Sequence, residues 1–255
     1  MRILHLDCSS GLTGEMTVGA LCDIGVTPSI FEWELSKVDL GDFHTHFDRD
    51  AANGVGGIRF SLHSGATHHV SQDEKPCGCG HDHHHGDHHH HHDHSHSHTH
   101  SHPHTDSPSH EGETGRLLAD LEALLRAADL SDFVKEHSLS IFRRIAIAES
   151  TVRGIPLEKV TFPHSGKLSF IATVIGFCAG LEQLNVEKIS VSPFVNKTHS
   201  EQPHSAAVVR EILRETDAIS SDQAEGRLTP VTAAMVAEFG IPSALTSNFE
   251  EEKTG

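Results

Sequence analysis

Between Ser64 and Thr114 the chain has no Leu, Ile, Phe, Met or Trp; its apolar content there is Ala66, Val70, Cys77 and Cys79. Ordering a residue's backbone costs about 1–2 kcal/mol, and a stretch with so little apolar surface cannot offset that by burial. The stretch is therefore expected to be disordered without metal. It divides the 255 residues into an N-terminal α/β lobe over 1–63, the coreless loop over 64–114, a helical α/β lobe over 115–247, and a polar tail, NFEEEKTG, over 248–255. The two apolar pieces are together long enough for a core of ordinary size.

What fills the coreless stretch is histidine. From Cys77 it reads CGCGHDHHHGDHHHHHDHSHSHTHSHPHTDSPSH, and sixteen of the 26 histidines lie between His81 and His110. Imidazole suits nickel, zinc, copper and cobalt, and near neutral pH most such rings are uncharged and able to coordinate. The candidate metal ligands are His81, His83, His84, His85, His88, His89, His90, His91, His92, His94, His96, His98, His100, His102 and His104, with Cys77 and Cys79 as soft ligands at one end. At three or four imidazoles per ion, the run could hold on the order of four divalent ions. An expression tag is usually terminal and uninterrupted. This run is internal and mixed with Asp, Ser and Thr, so it reads as native metal binding.

The formal net charge of −17 argues against nucleic acid as the main partner, because an acidic surface repels phosphate backbones. No 18-residue apolar run exists to span a membrane. The opening RILHLD is too short and too charged for a signal-peptide core. Five scattered cysteines fit free thiols in a reducing compartment better than a disulfide framework. The expectation is a soluble, cytoplasmic protein, with self-association into a homo-oligomer left open.

The folded pieces read as α/β (α+β): a mixed sheet with packed helices, interrupted by the long His-rich loop. Arg2 to Leu6 reads as a strand ending at Asp7. The turn CSSGLTGE then leads into a helix that stops at Gly25, which places Asp7, Ser10 and Glu15 at a strand's carboxyl end and a helix start, where ligands often bind. Thr27 and Pro28 open a second helix. Asp42 to Asp48 and Ile58 to His63 alternate like paired strands around NGVGG, with His44 and His46 on one face. Helical spacing follows over Gly115 to Ala128 and Ser131 to Arg153. A short strand at Val160 to Phe162, an apolar helix from Leu168 to Leu184, a strand at Lys188 to Val191, and helices from Pro203 to Leu213 and Pro230 to Phe239 complete the reading.

The opening LHLDCSSGLTGEMTVGALCDIGV resembles the start of the LarC family of nickel-insertion proteins, whose pattern is roughly LDCFSGISGDMFLGALLDLGV. Asp7, Cys8, Ser10, Gly11, Gly14, Met16, Gly19, Ala20, Leu21, Asp23 and Gly25 match, and Glu15 stands in for an Asp. Family members also tend to carry a central His-rich loop after two strands, followed by a helical stretch like GRLLADLEALL and IFRRIAIAESTVRGIP. The resemblance implies insertion of Ni²⁺ into a pyridinium nucleotide bearing two thiocarboxylates, a CTP-dependent nickel chelatase (cyclometallase) of the lyase class. The product would be the nickel-pincer cofactor used downstream by lactate racemase-type enzymes, with the histidine tract supplying the metal. Asp7, Ser10 and Glu15 are then the candidate catalytic residues.

The chain departs from the family pattern in places. Where the family has a run like HFHEVGAxDSIxD, this chain has TFPHSGKLSFIAT. Thr161, Pro163, His164, Ser169 and Thr173 replace His, His, Glu, Asp and Asp, while Phe162, Gly166 and Ile171 are kept. His164 is a substitute metal ligand. A TPTGAA-like motif appears as Thr229, Pro230, Val231, Thr232, Ala233 and Ala234, without its Gly. The expectation is also that a C-terminal domain, holding CTP with a divalent metal, lies on a separate partner. The alternative reading is a non-catalytic nickel or zinc store or metallochaperone.

Each candidate has a structural alternative. Asp7 and Glu15 could simply cap the turn and favour a helix N-terminus. Cys8 could hold metal or sulfur, or pack in the core. His44 and His46 could form a two-point metal site or merely decorate a strand, and His164, His199 and His204 could converge on one cleft. SGKLS is no phosphate-binding loop, because the G-x₄-G-K-[ST] rule needs Gly at 161 and Ser or Thr at 168, where the chain has Thr161 and Leu168.

Overall fold

A computed structural model of the chain describes residues 1–52, 55–64, 116–162, 168–194, 203–214, 216 and 228–241. The histidine tract and the polar tail lie outside the described residues. The described parts of residues 1–66 and 113–255 form one compact unit.

The chain opens with strand β1 (Ile3–Leu6), helices α1 (Gly14–Asp23) and α2 (Pro28–Ser36), and strands β2 (Phe43–Ala52) and β3 (Val55–Ser64). After the tract come β4 (Arg116–Leu117), α3 (Leu118–Ala127), α4 (Asp132–Arg153), β5 (Thr161–Phe162), α5 (Leu168–Gln183), β6 (Lys188–Val191), α6 (Pro203–Leu213) and α7 (Pro230–Phe239). The class is α/β, as expected, with parallel and antiparallel pairing distributed over three two-stranded sheets. β1 pairs with β6 in parallel, Ile3 opposite Lys188 through Leu6 opposite Val191. On the other side of β6, the Ile241 amide donates to the Ile189 carbonyl at 2.9 Å. β6 is thus flanked by β1 and by the chain leaving α7.

The core is organised on α5. Residues Ile171 to Leu181 are buried without interruption, the signature of a helix surrounded by protein rather than facing water. Helices α1, α2 and α4 pack around it. Phe31 of α2, Phe142 of α4 and Phe177 of α5 are each fully buried there. α3 is fastened to α4 through Glu122, which takes hydrogen bonds from Arg126 at 2.7 Å and Arg143 at 2.6 Å. α7 is fastened to α4 through Glu238, which accepts from Ser140 at 2.6 Å and Arg144 at 2.9 Å and pairs with His137 at 2.8 Å.

β6, α6 and α7 fall where the spacing places them. Two boundaries differ. Arg116 and Leu117 form a strand paired with Phe162 and Thr161 rather than the first turn of a helix. Two-residue ladders carry no periodicity, and the pairing is decided by a partner far along the chain. Gly56 and Gly57 lie inside β3, opposite Ala51 and Asp50, rather than in the turn. The ladder runs on to Ala52 opposite Val55, which takes both glycines into the strand.

Candidate functional site

β1 alternates as a strand must. Leu6 and Cys8 go to the core, while His5 and Asp7 stay exposed on the other side. β6 places Ser190 opposite His5, and the His5 Nδ1 and Ser190 Oγ share a hydrogen bond at 2.8 Å. One step along, the Ser192 hydroxyl donates to Asp7 Oδ1 at 2.9 Å and accepts from the Cys8 amide at 2.6 Å. The Ser9 amide also donates to Asp7 Oδ1, at 2.9 Å. The carboxyl of Asp7 is held below its ordinary range, first by the Ser9 amide, then by the Ser9 and Ser192 hydroxyls, with the nearby His5 adding a smaller effect. Asp7 is therefore a fixed carboxylate at the carboxyl end of a parallel pair, a position where α/β proteins commonly bind ligands.

Cys8 belongs to the core. It is fully buried, and burial, with the Asp7 charge adding to it, pushes its thiol up to about 11. With no exposed surface, it packs against its core neighbours. Ser10 is exposed in the turn, and Glu15 is half-buried in the first turn of α1, which is capped by Thr13 accepting from the Met16 amide at 3.3 Å.

Two further stretches singled out in the sequence meet this turn. Thr229 and Thr232 form a capping box at the start of α7: the Thr232 amide donates to Thr229 Oγ1 at 3.3 Å and the Thr229 amide to Thr232 Oγ1 at 2.9 Å. The Thr232 hydroxyl also donates to the Leu12 carbonyl at 3.1 Å, and Leu12 bridges to Leu228. From α5 comes Thr173. A Cβ on Gly14 would sit 2.3 Å from Thr173 Cγ2 and 3.5 Å from Val231 Cγ1, so only glycine admits this approach. Thr173 is buried and its hydroxyl has no partner among the described residues. The turn after β1, the α7 cap and α5 are thus locked together. Thr232→Val, which keeps the shape and removes the hydroxyl, should cost about 1–3 kcal/mol in denaturant unfolding by orphaning its buried partners. An unchanged midpoint would show that the hydroxyl does not hold the turn.

Among the other candidates, His44 and His46 lie exposed on β2. His204 pairs through Nε2 with Glu149 of α4 at 2.9 Å. His164 and His199, with Cys77, Cys79 and the tract, lie outside the described residues. Among the described residues no group of three or more His, Cys, Asp and Glu side chains stands ready to hold a metal ion, and no helix is long and apolar enough to cross a membrane. Sequence reading missed His5, Ser190 and Ser192. His5 carried a signal, since it stands two residues from Asp7 on a strand. The serines carried none without knowing that β1 and β6 pair.

The comparisons bear on this arrangement. The family described as nickel insertion protein matches residues 4–255. The chain is 31% identical over its whole length, and over 59% of the relative, to the pyridinium-3,5-bisthiocarboxylic acid mononucleotide nickel insertion protein of Lactiplantibacillus plantarum. It is 26% identical to the protein of the same name from Desulfitobacterium hafniense, over 94% of the chain and 50% of the relative. With the namesake from Acetivibrio thermocellus it shares 29% identity over 96% of the chain and 54% of the relative. The chain therefore spans between half and three-fifths of the length of these relatives. No solved structure matches it.

Proposed function

Because the chain belongs to the nickel insertion protein family, we propose that it loads Ni²⁺ into pyridinium-3,5-bisthiocarboxylic acid mononucleotide, with the turn after β1 as the working end and the histidine tract as the metal supply. The reading is supported most by one observation. The stretch from Asp7 to Glu15, the Thr229 cap and Thr173 of α5 are far apart in sequence, the first two resemble the family pattern while Thr173 stands where that pattern has an Asp, and they pack together at the carboxyl end of β1.

Nickel is the substrate here, together with the nucleotide. Bond formation from nickel to two sulfurs and one ring carbon needs a fixed geometry, and the carbon must give up its proton as the nickel–carbon bond forms. Asp7, locked by three hydrogen-bond donors and ionised, is suited to hold or orient a cation. The imidazole of His5, two residues away on the same side of the strand, is suited to take the departing proton. Ser10 and Glu15 line the approach. CTP is a third substrate of the proposed lyase-type reaction, and a polypeptide supplying the remaining length of the family would complete it. The product would serve lactate racemase-type enzymes.

The test is mass spectrometry of the nucleotide after incubation with this chain, Ni²⁺ and CTP, with and without such a polypeptide. The nucleotide should gain one nickel and lose protons, and racemase apoenzyme should become active. Normal nickel binding with no nickelated nucleotide in either mixture would favour the store or metallochaperone instead.

The tract carries its own prediction. Protons compete with metal for imidazoles of ordinary pKa about 6.5, so its affinity for Ni²⁺ should fall steeply between roughly pH 7 and 5. Asp7 behaves oppositely. Its lowered pKa keeps it charged across that window, and its contribution is lost only when pH falls through that depressed value, below the ordinary carboxylate range. Calorimetric titration at several pH values, on the full chain and on one lacking residues 81–110, should show several ions lost with the tract and a steep pH response. Equal stoichiometry in both, or a flat response, would remove the tract from the account.

A further inference from the structure

We propose that the exposed face of the β2–β3 ribbon is a second metal site, a docking point for a divalent transition metal chelated by His46 and His63. The site lies on different elements from the turn after β1 and does not depend on the nickel-insertion reading.

The strand register creates it. In the antiparallel ladder His44 stands directly opposite His63, and His46 opposite Ser61, so His46 and His63 are diagonal neighbours. Residues directly opposite have Cβ atoms about 4.5–5.5 Å apart and diagonal ones roughly 7–8 Å, close enough for imidazoles to meet. They do meet: the rings of His46 and His63 have centroids 5.3 Å apart, edge to face at 70°. A metal about 2.0–2.1 Å from one nitrogen of each of two rings, at an angle near 90–110°, leaves ring centres roughly 4.5–5.5 Å apart. The observed spacing falls in that range before any metal is placed.

The ribbon also supplies the rigidity that a chelate needs. All three histidines are exposed, while the opposite face is anchored: Phe60 is buried, and Phe47 packs against Phe31 at 5.7 Å and Phe60 at 5.1 Å between ring centres. Asp48 follows on the histidine face, with Arg59 across from it, and Arg59 is paired to Asp50 at 3.3 Å. That leaves the histidine end of the face without a competing cation among the described residues. A two-imidazole site with open positions binds more weakly than a closed four-ligand site and can pass its ion on.

The experiment is carbethoxylation of histidine by diethyl pyrocarbonate on the full chain, read peptide by peptide with mass spectrometry, with and without Ni²⁺. Without metal, His46 and His63 should react as exposed imidazoles. At free Ni²⁺ ten times the dissociation constant, the unliganded fraction, and with it the rate at both positions, should fall about tenfold. In His46→Ala, whose fold is checked by circular dichroism, Ni²⁺ should no longer protect His63. Unaltered rates with Ni²⁺, or protection of His63 that persists in His46→Ala, would overturn the chelate.

Discussion

Asp7→Asn should lower the rate of nickelation by at least about a hundredfold while leaving the number of Ni²⁺ ions bound per chain nearly unchanged. The substitution preserves size and can still accept the Ser9 and Ser192 hydrogen bonds through its remaining carbonyl oxygen, so the turn should stay folded. What it removes is the negative charge that the three donors hold in place. A preorganised charge is worth most where the reacting centre is cationic and geometrically fixed. The bulk of nickel binding is assigned to the tract, which this change does not touch. Initial rates of nucleotide nickelation, measured beside calorimetric stoichiometry, separate the two. Equal loss of both, or of neither, would take Asp7 out of the site.

The largest structural effect is expected at Gly19. Helix α1 lies so close to β3 that a Cβ there would stand 2.0 Å from the Ile58 carbonyl oxygen. This is backbone, not the movable end of a side chain, and it is tied to α1 a second time: the Ile58 amide donates to Asp23 Oδ2 at 2.8 Å. Gly19→Ala must therefore push the ribbon off the helix. Overpacking of this kind costs about 3 kcal/mol or more, a loss of roughly 6–12 °C in melting temperature for a chain of this size. Thermal denaturation checks it, and an unshifted midpoint would mean that α1 and β3 are not in contact at this residue. The same glycine is one of the positions at which the opening matches the family pattern, and the contact supplies a physical reason for the match.

Much of this architecture could be read from local signals. The run from Thr229 announces a helix by its cap and its proline, and the largely apolar stretch from Ile171 to Leu181 announces a buried one. The turn holding Asp7, Ser10 and Glu15 was legible as strand, glycine-containing turn and helix. What was not legible depends on partners distant in sequence. His5 and Ser190, 185 residues apart, become neighbours only when β1 and β6 pair. Likewise nothing local in the helical spacing of GRLLADLEALL reveals that Arg116 and Leu117 pair with Phe162 and Thr161. Cys8 illustrates the converse. Its place beside Asp7 suggested a ligand, and burial on the opposite side of the strand makes it core.

The central claim is a division of labour between a metal-supplying histidine tract and a fixed site of insertion. Its most direct test is the rate of nucleotide nickelation by the chain lacking residues 81–110, with CTP and the completing polypeptide present, at scarce and at plentiful free Ni²⁺. The account predicts a marked loss of rate when nickel is scarce and recovery toward the full chain's rate when it is plentiful, with Asp7→Asn failing under both conditions. Failure of the shortened chain at every nickel concentration, or an Asp7→Asn chain rescued by excess nickel, would contradict it.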